Sequence, residues 1–246
     1  MTVLDDIESK CRARVPMIAQ LVDPDDVADF DAATDLVRRA EDAGIDLFLA
    51  GGSLITRSAD FDLVRTLKEI TSIPVVIFPS TPAQIHTAAD AILFLSLISG
   101  RNPEYLIGHH VAAAPLLRKT KIEVIPVGYM LVDCGSATTA SYISHTFPLP
   151  YNKPEIAAST ALAGEMLGVR LLYLDGGSGA DRTVSPDMVK VVRAWTRLPL
   201  IVGGGINSTT EAEALIEAGA DVLVSGNGSR ENPELIQSLC ELKKVK

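Results

Sequence analysis

Leu200-Ile201-Val202-Gly203-Gly204-Gly205 and, after one stretch of helical spacing, Asp221-Val222-Leu223-Val224-Ser225-Gly226-Asn227-Gly228 are short apolar runs, each stopped by glycine. Thr209-Ala218 lies between them and ends at Gly219, where a left-handed cap can turn a helix into the next strand. Strand, glycine-rich loop, helix, glycine, strand is the punctuation of a parallel βα unit. The same ending recurs at Ala43-Gly44-Ile45-Asp46 and Leu167-Gly168-Val169-Arg170.

Working outward, the pattern fills the chain. Strand candidates are Pro16-Val22, Ile45-Ala50, Pro74-Phe78, Ala91-Leu95, Ile122-Val127, Leu171-Leu174, Leu200-Val202 and Asp221-Val224. Each is dominated by Val, Ile, Leu or Phe, as strands covered on both faces should be. Ala32-Ala43, Asp60-Ile70, Pro103-Arg118, Pro154-Leu167, Pro186-Thr196, Thr209-Ala218 and Pro233-Leu242 have helical spacing. Thr81 to Asp90, punctuated by Pro82, is too short for a full crossover helix. The pattern predicts an α/β fold, a (β/α)8 TIM barrel with a degenerate third helix, with 1–246 as a single phosphate-binding domain. An open doubly wound sheet is the alternative architecture.

Composition excludes several classes. A net charge of -9 leaves no basic stripe to neutralise nucleic-acid phosphates, so nucleic acid is not an expected partner. Cys11, Cys134 and Cys240 are scattered and odd in number, which fits reduced thiols in a cytoplasmic protein. The charged start, Met1 to Arg14, is no signal peptide, and no apolar run is long enough to span a membrane. His86, His109, His110 and His145 have no zinc-ligand spacing and read as surface or loop residues.

In such a barrel the chemistry lies on the loops after the strands. Glycine clusters follow strand six (Gly176, Gly177, Gly179), strand seven (Gly203 to Gly205) and strand eight (Gly226, Gly228). Without Cβ atoms their N–H groups can wrap an anion, and the helix starting near Ser208 or Thr209 is expected to aim its positive end at the same place. Asp23 directly follows strand one, where a carboxylate needs a cation or donor. Magnesium, an oxygen-loving ion shared with substrate phosphates, suits Asp23 with the Ser53 hydroxyl. Asp25 and Asp26 read as a solvated loop or helix cap, Asp133 as either a polar strand end or a loop cap, and Tyr105 as a packing or interface aromatic.

Leu21-Val22-Asp23-Pro24-Asp25, Gly51-Gly52-Ser53, Ser99-Gly100-Arg101-Asn102-Pro103, Tyr173-Leu174-Asp175-Gly176-Gly177-Ser178-Gly179, Val202-Gly203-Gly204-Gly205-Ile206 and Gly226-Asn227, in this order, resemble the geranylgeranylglyceryl phosphate synthase family, which includes the heptaprenylglyceryl phosphate synthases. The resemblance runs from about Val15 to the C-terminus and implies a barrel whose third helix is replaced. It implies prenyl transfer from a polyprenyl diphosphate, geranylgeranyl by expectation, to the 3-hydroxyl of sn-glycerol 1-phosphate, the first ether-bond step of an archaeal-type lipid. Asp23 and Ser53 would hold Mg2+ and diphosphate. Tyr173, Leu174, Asp175, Gly176, Gly177, Ser178 and Gly179, with Gly204, Gly205, Gly226 and Asn227, would hold glycerol phosphate. Where the family has Glu-Ala after Tyr-Leu this chain has Asp175-Gly176, and Asp175 is expected to orient or deprotonate the hydroxyl. A prenyl groove would be lined by Leu97, Ile98, Tyr105 and Leu106. The resemblance further implies a homo-oligomer, dimer or hexamer, and peripheral contact with the membrane. A sugar-phosphate barrel enzyme, or a catalytically silent barrel that binds a phosphorylated ligand, would share the glycine loops.

Overall fold

The computed structural model describes residues 1–27, 29–56, 62–226, 232 and 234–244. Strands β1 (Met17–Val22), β2 (Leu47–Ala50), β3 (Val75–Ile77), β4 (Ala91–Leu97), β5 (Glu123–Leu131), β6 (Leu171–Asp175), β7 (Leu200–Gly203) and β8 (Val222–Ser225) pair in parallel in chain order. β8 returns to β1, so the barrel closes and no edge is left. The doubly wound alternative is thereby excluded. Alternation along each strand divides the core. Ala19, Leu49, Leu93, Val127, Leu171 and Ile201 fill the interior, while Ile18, Phe48, Val75, Leu172, Leu200 and Leu223 face the helices.

The helices are α1 (Val3–Ala13), α2 (Phe30–Ala43), α3 (Leu63–Ile70), α4 (His109–Leu117), α5 (Thr139–Ser144), α6 (Pro154–Leu167), α7 (Pro186–Trp195), α8 (Thr209–Ala218) and α9 (Glu234–Glu241). Gly44, Gly168 and Gly219 each close their helix in the left-handed conformation expected of them. The residue two positions after the cap explains why the ending repeats. Asp46 accepts a hydrogen bond from the Ile18 N–H at the foot of β1 (2.8 Å) and returns its own N–H to Ile18 O (2.9 Å). Asp221 does the same with Leu200 of β7 (2.8 and 2.9 Å), and Asp90, before β4, with Val75 of β3 (2.7 and 3.0 Å). A cation neutralises each carboxylate: Lys10 and Lys243 on Asp46, Lys68 on Asp90, Arg193 on Asp221. Before β6 the residue is Arg170, facing Pro126, which has no N–H to cap.

Two helices lay outside the sequence expectation. Helix α1 plugs the bottom of the barrel with Leu4 and Ile7, its first N–H groups bound by the Glu123 carboxylate (2.7 and 3.2 Å). Asp5, Arg12 and Arg14 are exposed, while Lys10 turns to Asp46. The short α5 follows β5. Strand β5 runs past the expected end at Val127 to Leu131, and Gly128 within it leaves room for the Ile98 side chain. The third unit is indeed degenerate: a single 3-10 turn, Pro82–Gln84, joins β3 to β4. His86 pins it, accepting from Ala88 N through Nδ1 and pairing through Nε2 with Asp62, the N-cap of α3. The expected helix over Pro103-Arg118 begins instead with a π-helical turn at Glu104–Gly108. The expected starts at Asp60 and Pro233 lie outside the described residues.

Candidate active site

Three aromatic rings floor the mouth at the C-terminal ends of the strands. Phe78 stacks on Tyr173 (centroids 5.3 Å apart), and Tyr129 meets both edge-on at 5.8 and 5.4 Å. Above them stands Asp175, 6% exposed, the last residue of β6. Its Oδ2 accepts from the Tyr129 hydroxyl and its Oδ1 from the Gly177 N–H at 2.7 Å. Burial raises the Asp175 pKa above the ordinary carboxylate value, and the two hydrogen bonds hold it back. The same burial, with the carboxylate beside them, pushes Tyr129 and Tyr173 well above 10, so both phenols stay protonated.

A cavity of about 630 Å³ opens over this floor. Gly177, Ser178, Gly179, Gly204, Gly205 and Gly226 line one side, Asp23, Gly52 and Ser53 the other, and Asp175 and Tyr173 the base. The glycine loops interlock: a Cβ on Gly204, at φ +82°, would fall 2.6 Å from Gly177 N. Opposite, Asp23 Oδ1 accepts from Asp25 N (2.9 Å) while its carboxylate lies over Gly52, where a Cβ would fall 2.2 Å from Oδ2. Glycine at 52 is what lets that carboxylate face the cavity. Asp25 holds Thr56 and Asp133 caps its own loop through Gly135 N.

Two expected site residues lie off the cavity wall. Leu174 points outward into the helix layer, because alternation puts Tyr173 and Asp175 inside. Gly176 does not line the cavity; it backs onto the buried Cys134. The start of α8 carries its own cap, in which Ser208 accepts from Glu211 N and the Glu211 carboxylate accepts from Asn207 N (2.9 Å). Asn227 lies outside the described residues. Tyr129 and Phe78, which sequence reading missed, are the next inward positions after Val127 and Val76; following the alternation further would have found both.

A smaller, apolar cavity of about 100 Å³ lies beside the first, between β4, β5, α4 and α5. Phe94, Leu97, Tyr105, Ala113 and Ile143 line it, and Gly52, Ser53 and Phe78 belong to both cavities. Leu97 and Tyr105 are where the expected groove required them, but Ile98 packs behind Gly128 and Leu106 is not in the wall. The histidine reading is also corrected. His109 meets the Tyr105 ring, and His110 is buried in the wall, edge-on to Phe94 and hydrogen-bonded to Ser96 Oγ (3.1 Å). Burial lowers the His110 pKa, which keeps the imidazole neutral in its apolar setting.

Among the described residues no three His, Cys, Asp or Glu side chains cluster as a metal site. Asp23 and Ser53 supply hard oxygen donors on the cavity side, a partial set that suits an ion completing its shell with water or phosphate.

A family profile described as the PcrB family matches residues 11–245. The chain belongs to the PcrB family. Among the relatives of this PcrB-family chain, the geranylgeranylglyceryl phosphate synthase of Spirosoma linguale is 51% identical over 239 residues, covering 97% of this chain and 94% of its own. That of Pyrococcus horikoshii is 39% identical over 227 residues, or 92% and 88% of the two chains. The crystal structure of (S)-3-O-geranylgeranylglyceryl phosphate synthase from Thermoplasma acidophilum, in complex with substrate sn-glycerol-1-phosphate, matches with a TM-score of 0.91 at 34% identity, covering 100% of both chains. The PcrB-family barrel is therefore shared through the full length of a solved relative.

Proposed function

We infer that this PcrB-family chain is a prenyltransferase: it joins the 3-hydroxyl of sn-glycerol 1-phosphate to a polyprenyl diphosphate, geranylgeranyl diphosphate, and releases diphosphate. One observation carries the reading. A cavity walled by glycine loops and carboxylates and an apolar cavity walled by rings meet at Gly52, Ser53 and Phe78, as a reaction between a phosphorylated alcohol and a lipid diphosphate requires.

The phosphate of glycerol phosphate would rest on the loops of Gly177 to Gly179, Gly204, Gly205 and Gly226, which leaves its 3-hydroxyl toward Asp175. Asp175 takes the hydroxyl proton as O3 bonds to C1 of the prenyl chain and the bond from C1 to the diphosphate oxygen breaks. Burial makes Asp175 a better base than a solvated carboxylate, and Tyr129 and Gly177 fix its direction. Tyr129 and Tyr173, kept protonated, add no charge to compete with it. The chain would lie against Phe94, Leu97 and Tyr105, with its diphosphate at Ser53 and Asp23. Mg2+, when held by Asp23 and Ser53 with diphosphate oxygens, would offset the charge that develops on the leaving group.

No helix among the described residues is long and apolar enough to cross a membrane. A cytoplasmic protein that meets its lipid substrate at the membrane surface is part of the same reading, as the resemblance implies. We also carry forward the homo-oligomer expected from the resemblance. The test is transfer of label from sn-glycerol 1-phosphate into the organic phase, with polyprenyl diphosphates of several lengths, with and without magnesium. Label there supports the reading; none, from folded protein that binds glycerol phosphate, overturns it.

A further inference from the structure

Cys134 is 1% exposed, in the loop after β5, and its thiol lies where residue 176 has no side chain. A Cβ on Gly176 would fall 3.0 Å from Sγ, 3.3 Å from the cysteine Cβ and 3.4 Å from Gly204 O. The backbone around this contact is held on both sides. Val132 N donates to Asp175 O (2.9 Å), Gly176 N to Gly203 O (2.9 Å), and Gly177 N to the Asp175 carboxylate (2.7 Å). Cys134 and Gly176 therefore form one packed wedge on the helix-facing side of β6, next in the chain to the carboxylate.

We propose that Cys134 is a positioning residue for Asp175: its thiol fills the volume of the missing side chain at 176 and sets how far the end of β6 projects into the mouth. Asp175 reaches the cavity through a single methylene, so its carboxylate position follows its backbone directly. The thiol acts by volume and not as a nucleophile. Burial, and after it the Asp175 charge, push its pKa up to about 12, so it stays protonated. The proposal rests on the prenyl-transfer reading for its catalytic consequence, but the packing stands independently of it.

The test is a double-mutant cycle of Gly176→Ala and Cys134→Ala, with Cys134→Ser as the variant that nearly keeps the volume. An added methyl at 3.0 Å displaces the wedge by tenths of an ångström, and misplacement on that scale is expected to lower kcat by about tenfold with little change in KM for glycerol phosphate. The acidic limb of the kcat–pH profile moves with it, because the Gly177 hydrogen bond that holds down the Asp175 pKa is disturbed. Removing the thiol in the double variant relieves the clash and restores most of kcat, and Cys134→Ser retains more activity than Cys134→Ala. A Gly176→Ala variant with wild-type kcat, or a double variant no better than Gly176→Ala, overturns the proposal. The same cycle read in Tm separates the two layers of inference. If the wild-type protein makes no prenyl product, the functional reading fails. Non-additive Tm changes then still support the wedge, and additive ones overturn it.

Discussion

Tyr129 and Asp175 face each other from neighbouring strands, and the tyrosine hydroxyl donates to the carboxylate it stands beside. That bond lies across the β5–β6 pairing in which Tyr129 opposes Tyr173 and Leu131 opposes Asp175. It orients the base and restrains a pKa that burial drives upward. Tyr129→Phe is expected to lower kcat by about ten- to a hundredfold, the worth of a hydrogen bond to a charged group. It should also move the acidic limb of the pH–rate profile to higher pH. An unmoved limb would show that the hydroxyl does not govern Asp175 in the working enzyme.

The same burial has a consequence for stability. Asp175 binds its proton more tightly in the native state than in the unfolded chain. Its contribution to stability is therefore complete below the ordinary value of 3.8 and is lost as the pH rises through the raised native value. At neutral pH the ionised carboxylate is a cost that function retains. Asp175→Asn, whose amide can still serve Gly177 and Tyr129, is expected to raise Tm at pH 7 while removing most turnover. Melting curves across the acidic range should show that advantage shrinking as the pH falls.

At the opposite wall, the side chain of Gly52→Ala would press on Asp23 Oδ2. If Asp23 holds the metal, the magnesium concentration for half-maximal rate rises, by about tenfold for a loss near 1.4 kcal/mol. A magnesium titration of the variant reads this directly, and an unchanged midpoint would dissociate Asp23 from the ion.

The bottom of the barrel should behave otherwise. Asp46→Ala leaves the buried Ile18 N–H without its acceptor and Lys10 and Lys243 without their carboxylate. A loss of about 1–3 kcal/mol is expected, seen as a lower urea midpoint, with kcat and KM unchanged wherever the protein is folded.

The barrel was legible because its signals are local. Gly168 and Gly219 mark helix ends by conformation alone, and Pro82 shortens the third unit by chain length alone. The loops after β6, β7 and β8 were equally readable as glycine clusters. What escaped depended on register or distant packing. Strand β5 continues through Gly128 to Leu131, and the Ile98 side chain packed on that glycine comes from another part of the chain. Leu174 sits inside a motif of functional residues yet faces outward, and only the pleat decides that. Helix α1 has a face too narrowly apolar to stand out until the barrel bottom supplies a partner for Leu4 and Ile7. His110 carries no motif, and its role in the apolar wall follows from the fold of α4 against β4.

The carboxylates that tie Ile18 to Asp46, Val75 to Asp90 and Leu200 to Asp221 join strands two at a time, first to second, third to fourth and seventh to eighth. Each clasp is contained in one continuous stretch of chain. Cuts between α3 and β3, or after α7, leave every such stretch whole, whereas a cut in α2 or α8 divides one. Three of the barrel's strand pairs are in this sense self-contained stretches of chain, two joined by a helix and one by a 3-10 turn, and the junctions between them are where new termini for circular permutation, or fragments for reassembly, should be sought.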